Sequence, residues 1–191
     1  SGAATYNSTT GVLNIPQYSG GVDGLVLLTT STVTTAVSSV EISLSGYNSY
    51  YFLFDRVTLS TTTNGDMGIQ VSNDSGATYI TSYRYTVLGT NPGTNPFNLD
   101  LTEAQIKCTF TMRSGAVFPA MGWGYIMPGT ATEKTSVQGA STYNFNSGTE
   151  NEIRMSFYGG APNSVGIANR VKFFMTANTF ASGRFRIYGI N

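Results

Sequence analysis

The sequence predicts an all-β protein: an antiparallel two-sheet β-sandwich, jelly-roll-like, with a short N-terminal strand segment ahead of it. Three observations point there. Among 191 residues there are 27 Thr, 20 Ser and 15 Asn, with 22 Gly, 12 Tyr and 11 Phe; Thr, Tyr and Phe favour strands, and Gly and Asn favour the turns between them. Helix formers are scarce, and no long helix is expected. Charged residues make up only 10% of the chain, against about 25% in ordinary domains, so there is apolar and aromatic surface to bury and no composition of a disordered chain.

The length suits one sizeable domain, or one with a short appendage. We divide it at residue 24. Residues 1–24 are polar and glycine-rich, with one apolar beat at Val12, Leu13 and Ile15 stopped by Pro16, a short strand that cannot build a core of its own. From Leu25 strands follow one another: "LVLLTTSTVTTAVSSVEISL", "YYFLFDRVTLS", "DMGIQVSND" and "ATYITSYRYTVLG". In the second, strict alternation puts Tyr51, Leu53, Asp55, Val57 and Leu59 on one face and Phe52, Phe54, Arg56 and Thr58 on the other. Both faces are largely apolar, as in a central strand buried on two sides. The turn-rich "GTNPGTNPFNLDL" separates this half from "QIKCTFTMR", "AVFPAMGWGYIMP", "EIRMSFYGG", "RVKFFMTA" and "SGRFRIYGI". Nine or ten strands in all are expected. Thr102 and Gln105 in "DLTEAQIK" are spaced for a capping box and one helical turn. No repeat of fixed period is present.

Several chemistries are excluded or disfavoured. There is no histidine, which removes Ser-His-Asp and Cys-His catalysis and every imidazole metal site. The single Cys108 forms no internal disulfide and reads as a small buried hydrophobe on a strand. Ten Lys and Arg balance ten Asp and Glu, so phosphate-driven nucleic-acid binding lacks its driving force. No signal peptide, lipidation motif or membrane-length apolar run is seen, and membrane insertion is not expected. The chain opens with Ser-Gly and no Met, as a fragment or a cloning remnant would. Two-carboxylate sugar hydrolysis needs only an acid and a base, but the best-spaced pair, Glu150 and Glu152, has the look of an ordinary solvated strand end. No catalytic residue, cofactor or metal is expected.

The stretch "SNDSGATY" fits the Asp-box S-x-D-x-G-x-T-aromatic, found in the blades of sialidases and other β-propellers. The chain is too short for a propeller and holds one box. Its residues build a turn: Ser72, Asp74, Gly76, Thr78 and Tyr79 are placed for Asp74 to accept backbone amides, Gly76 to take positive φ, and Thr78 and Tyr79 to re-enter the sheet as a hairpin. Asp66, Asp74, Asn73 and Asn64 are oxygen donors near one another in sequence, but no loop has EF-hand spacing. Glycan binding has better material. Aromatic faces stack on sugar C–H surfaces while amides bond the hydroxyls. Trp123 and Tyr125 would project to one side of an extended "MGWGYIMP", with flanking glycines leaving Trp123 unshielded, and Tyr143 with Asn144 in "STYNFNSG" forms a second group.

The head "ATYNSTTGVLNIPQYSGG" resembles the strand-and-turn units of bacteriophage tail fibres. The body, with "YYFLFDRVTL", "DMGIQVSNDSGATYITSYRY" and the closing "FASGRFRIYGI", resembles β-sandwich domains of phage virion appendages. The resemblance implies a non-enzymatic structural or adhesion domain on a virion surface. It implies a homotrimer with 1–24 as the end of a shaft, and contact with other virion proteins and with a host-surface polysaccharide or protein receptor. An architectural module that binds only viral proteins, as in capsid decoration or fibre stacking, is the first alternative. A carbohydrate-binding module of a larger glycan-degrading enzyme is the second.

Overall fold

The computed structural model describes residues 5–14, 24–60, 63–89, 97–114, 118–146 and 151–191. These form an all-β sandwich with no helix among them. A hairpin of β1 (Thr5–Asn7) and β2 (Val12–Asn14) stands first; Ile15, Pro16 and Asp23 lie outside the described residues. Then come β3 (Val26–Val33), β4 (Ser39–Ser43), β5 (Ser49–Leu59), β6 (Met67–Ser72), β7 (Tyr83–Gly89), β8 (Phe97–Glu103), β9 (Ile106–Lys107), β10 (Ala120–Met127), β11 (Ser136–Asn146), β12 (Asn151–Pro162), β13 (Arg170–Met175) and β14 (Phe180–Ile190). The large sheet has eight strands in the order β3-β14-β5-β10-β11-β12-β7-β8, the small one four in the order β4-β13-β6-β9. Every pairing is antiparallel.

The core is the interface between the sheets. Phe52 from β5 and Phe173 from β13 meet edge to face at 5.3 Å, and Phe185 from β14 lies 5.2 Å from both Phe173 and Phe180. All four rings are buried, each contributing about 1.5–3 kcal/mol by leaving water. Cys108 is fully buried, though it sits just beyond β9 and not on a strand. Burial pushes its thiol far above the ordinary range.

Central strand β5 corrects the sequence expectation twice. Arg56 has φ +56° and is exposed, and the register slips beside it against both β10 and β14. This bulge moves Val57 and Leu59 to the inner face with Phe52 and Phe54. Strict alternation had placed them with Tyr51. The other face of β5 is not covered by a second layer: Tyr51, Leu53 and Asp55 point outward and are only partly buried.

Two further expectations fail on local grounds. No helical turn forms at Thr102–Lys107, because β8 runs to Glu103 and β9 begins at Ile106, paired with Ile69. Strand β11 is not announced by alternation because Gly139, Ala140 and Ser141 interrupt it. A Cβ on Gly139 would press on the Trp123 carbonyl and, at 2.7 Å, on the Tyr158 hydroxyl, so a bare backbone is required there.

Candidate functional site

Strand β10 alternates strictly, with Ala120, Gly122, Gly124 and Ile126 inward and Met121, Trp123, Tyr125 and Met127 outward. Trp123 is 43% and Tyr125 36% exposed, projecting to one side as expected. The glycines are not there to unshield Trp123. They face the core, where a Cβ on Gly122 or Gly124 would run into the rings of Phe54 or Phe52.

Cross-strand register then lines up residues from five neighbouring strands. Leu88 on β7 pairs with Phe157 on β12, Phe157 with Ala140 on β11, Ala140 with Trp123, and Trp123 with Leu53 on β5. At strand spacing this band is roughly 20 Å across. Phe157 is 50% exposed, and Met121, Met127, Ile153 and Met155 are similarly open on the same face. Ala140, small between two large neighbours, leaves a depression of about 430 Å³ walled by Met121, Trp123, Met155 and Phe157. A second, of about 310 Å³, lies on the other side of Trp123 against Tyr125, Gln138 and Tyr158.

A parallel row of tyrosines runs beside the band. Tyr125, Tyr51 and Tyr188 are in register, with ring centroids 5.3 and 5.9 Å apart, and Tyr125 meets Trp123 edge to face at 6.1 Å. Burial first, then the neighbouring Tyr125 and Tyr188, raises the Tyr51 phenol, so it stays neutral. The band ends at Asp55, which holds Arg184 at 3.1 Å and also pairs with Arg186. Partial burial opposes ionisation of Asp55, but the two guanidiniums outweigh it and lower its pKa.

The other sequence-derived candidates fall elsewhere. Tyr143 is fully buried, facing the core with its hydroxyl 3.2 Å from Ser156, and Asn144 is only 3% exposed. Neither offers a surface to a sugar, so the second aromatic group does not form a site. Glu150 lies outside the described residues, as does the Glu152 side chain.

The turn at Ser72–Tyr79 is built as its residues dictate. Ser72 donates to Asp74 Oδ1 at 2.6 Å and accepts the Gly76 amide at 2.9 Å; Asp74 accepts the Thr78 amide at 2.9 Å and hydroxyl at 2.6 Å. Gly76 has φ +90°. These bonds, Ser72 first, lower the Asp74 carboxyl to about 2. The turn does not close a hairpin, however. β6 lies in the small sheet and β7 in the large one, so the box carries the chain between layers, and Thr78 and Tyr79 stay outside any strand.

Two more of the loop oxygen donors, Asp66 and Asn64, are engaged by protein groups. Asp66 accepts the Thr111 amide at 2.6 Å and pairs with Lys107 at 3.3 Å, and Asn64 accepts the Ser114 amide at 3.0 Å. Among the described residues no three His, Cys, Asp or Glu gather to hold a metal.

No family model, curated protein or solved structure matches the chain. The feature that bears on function is the outer face of the large sheet. It is wide, apolar, rich in methionine and aromatic residues, and bordered by the Asp55–Arg184–Arg186 ion cluster. Surfaces of that composition suit adaptable protein contacts.

Proposed function

We propose that the chain is a non-enzymatic recognition and assembly domain of a virus-particle appendage, which docks a protein partner on the outer face of its large sheet. The observation that carries this is the in-register band of Leu88, Phe157, Ala140, Trp123 and Leu53 across five strands, in which Leu88, Phe157 and Trp123 stand open to solvent around the recessed Ala140. Its place on a particle is supported by the resemblance of the head segment and of the closing strands to phage appendage proteins. A protein partner is favoured over a sugar because three exposed methionines and Phe157 surround the aromatic pair, whereas a sugar site needs hydroxyl-bonding groups there.

One observation favours a second reading, a host-surface glycan. Trp123 and Tyr125 stand exposed beside Gln138 at the smaller depression, the pairing of ring and amide that holds a sugar. One experiment separates the two. The chain is co-expressed with the products of neighbouring genes and co-purified, and it is also applied at multivalent density to a glycan array. Co-purification lost in Phe157→Glu and Trp123→Glu, with a blank array, supports protein docking. Array binding lost in Trp123→Ala transfers the site to a glycan. Co-purification indifferent to both charged variants overturns the assignment of this face.

A further inference from the structure

A β-sandwich of two open sheets has four edges, and each edge strand presents unpaired backbone N–H and C=O groups that can template another strand. Natural proteins blunt such edges with charge, proline, brevity or a β-bulge. Three edges here are blunted. β9 is two residues long. β4 is five residues long and carries Glu41, ion-paired to Arg170 at 3.6 Å. β8 carries Asp100 and Glu103 in "FNLDLTE". The fourth edge, β3, has no charge and no proline in the eight residues "VLLTTSTV", and no charged residue occurs anywhere from Gly24 to Val40; its one irregularity is a bulge at Leu28 against β14, which leaves Thr29–Val33 as the regular stretch. Its one strand neighbour is β14, and no other described strand pairs its outer side.

Beside this edge the two sheets part. A cleft of about 580 Å³ opens between β3 and β4, lined by Leu28 to Ser31 on one side and by Ile42, Ser43 and the Arg170-paired Glu41 on the other. Leu25 and Leu27, each 53% exposed, stand at the end of the same strand. A strand laid along β3 would gain backbone hydrogen bonds, roof the cleft and cover leucine surface together.

We infer that β3 is a β-augmentation edge whose occupant is β3 of a second copy of this chain, antiparallel across a two-fold axis. This goes beyond the docking face, which uses other strands. The charge pattern selects the occupant. In antiparallel self-pairing every facing residue is Thr, Ser, Val or Leu, whatever the register, so no like charges oppose and threonine and β-branched pairs favour the sheet. Pairing with β8 of another copy would instead set carboxylates against a strand that has no cation to meet them. Self-pairing is also isologous, so it closes at two copies and does not propagate into a fibre. The regular stretch Thr29–Val33 buries an area at the low end for specific interfaces, so the dimer is expected to be of roughly micromolar strength or weaker.

The test is sedimentation velocity of the purified chain from about 1 μM to about 500 μM, with amide hydrogen exchange at both limits. The expected result is a concentration-dependent dimer with amides in Val26–Val33 protected only at high concentration. Thr30 and Thr32 are exposed on the sheet face and pair across β14 with Arg186 and Arg184, so Thr30→Glu with Thr32→Glu sets each carboxylate beside a guanidinium and keeps the fold, checked by an unchanged melting midpoint, while like charges across the two-fold axis weaken the dimer about tenfold or more. Thr102→Lys, on the opposite edge, leaves the dimer intact. So does Trp123→Ser, which separates this result from the fate of the docking face. A chain monomeric at every concentration, a closed trimer, a dimer indifferent to the paired glutamates, or a dimer abolished by Trp123→Ser would each overturn the assignment.

Discussion

On the outside of the small sheet, Lys172 lies 4.0 Å over the ring of Tyr79 and 5.1 Å over Phe174, and Arg170 reaches Glu41 and the Ser43 hydroxyl. On the outside of the large sheet, Trp123, Phe157 and their methionine neighbours face water. The outward residues differ: Glu41, Gln70, Arg170 and Lys172 on the small sheet against a largely apolar row on the large one. The cover differs as well. The Ser72–Tyr79 turn and the link between β8 and β9 fold back over β6, where Gln70 donates to the Ala104 carbonyl at 2.9 Å, so β6 is buried on both sides. No described segment crosses the large sheet in that way. A face finished by its own chain needs no partner, while one left apolar and open across five strands is a place where another molecule completes the layer.

The contrast can be broken at several points. The largest effect lies under the open face. Gly124→Val forces a side chain into Phe52 and the Gln138 carbonyl, and should cost about 3 kcal/mol or more in urea unfolding. Next comes the closed face. Ser72→Ala removes the acceptor of the Gly76 amide in a fully buried position, with an expected loss of about 1–3 kcal/mol. The Asp74 carboxyl adds an acid dependence. It protonates near its ordinary 3.8 when unfolded but only at about 2 when folded. Its contribution is therefore complete above about pH 4 and declines as pH falls toward about 2, where the unfolded chain takes up the proton first. Asp74→Asn should flatten that limb of the stability–pH curve. Smallest are Trp123→Ser and Phe157→Ser in the isolated chain, expected to cost about 1 kcal/mol or less because each ring is about half exposed and keeps only edge contacts such as that of Trp123 with Tyr125. A loss several times larger would mean that the open face already serves the fold.

The fold class was legible because Thr, Tyr and Phe in quantity, with glycine and asparagine between them, have no stable solution except stacked sheets. The outward direction of Trp123 and Tyr125 was legible from period-two geometry alone. Their partners were not, since Phe157 and Leu88 join them through register between strands distant in sequence, which one chain read in order does not contain. The bulge at Arg56 was hidden for a related reason. Only the wish of Val57 and Leu59 to be inside betrays the skipped residue, and either phase of the alternation looks apolar. Tyr143 was misplaced because an aromatic beside asparagines suits a wet platform and a sandwich core alike. The Asp-box turn was read correctly in its bonds and wrongly in its setting, because a tight reversal does not tell whether the strands it joins belong to one layer or two.

Cys108 turns its isolation into an instrument. A lone sulfur sealed in the core, with burial holding it protonated, is invisible to alkylating reagents for as long as the layers stay shut. Labelling of the unaltered chain would therefore clock how often the molecule opens, with no engineered probe, and adding a bound partner to the tube would show directly whether occupancy slows that clock.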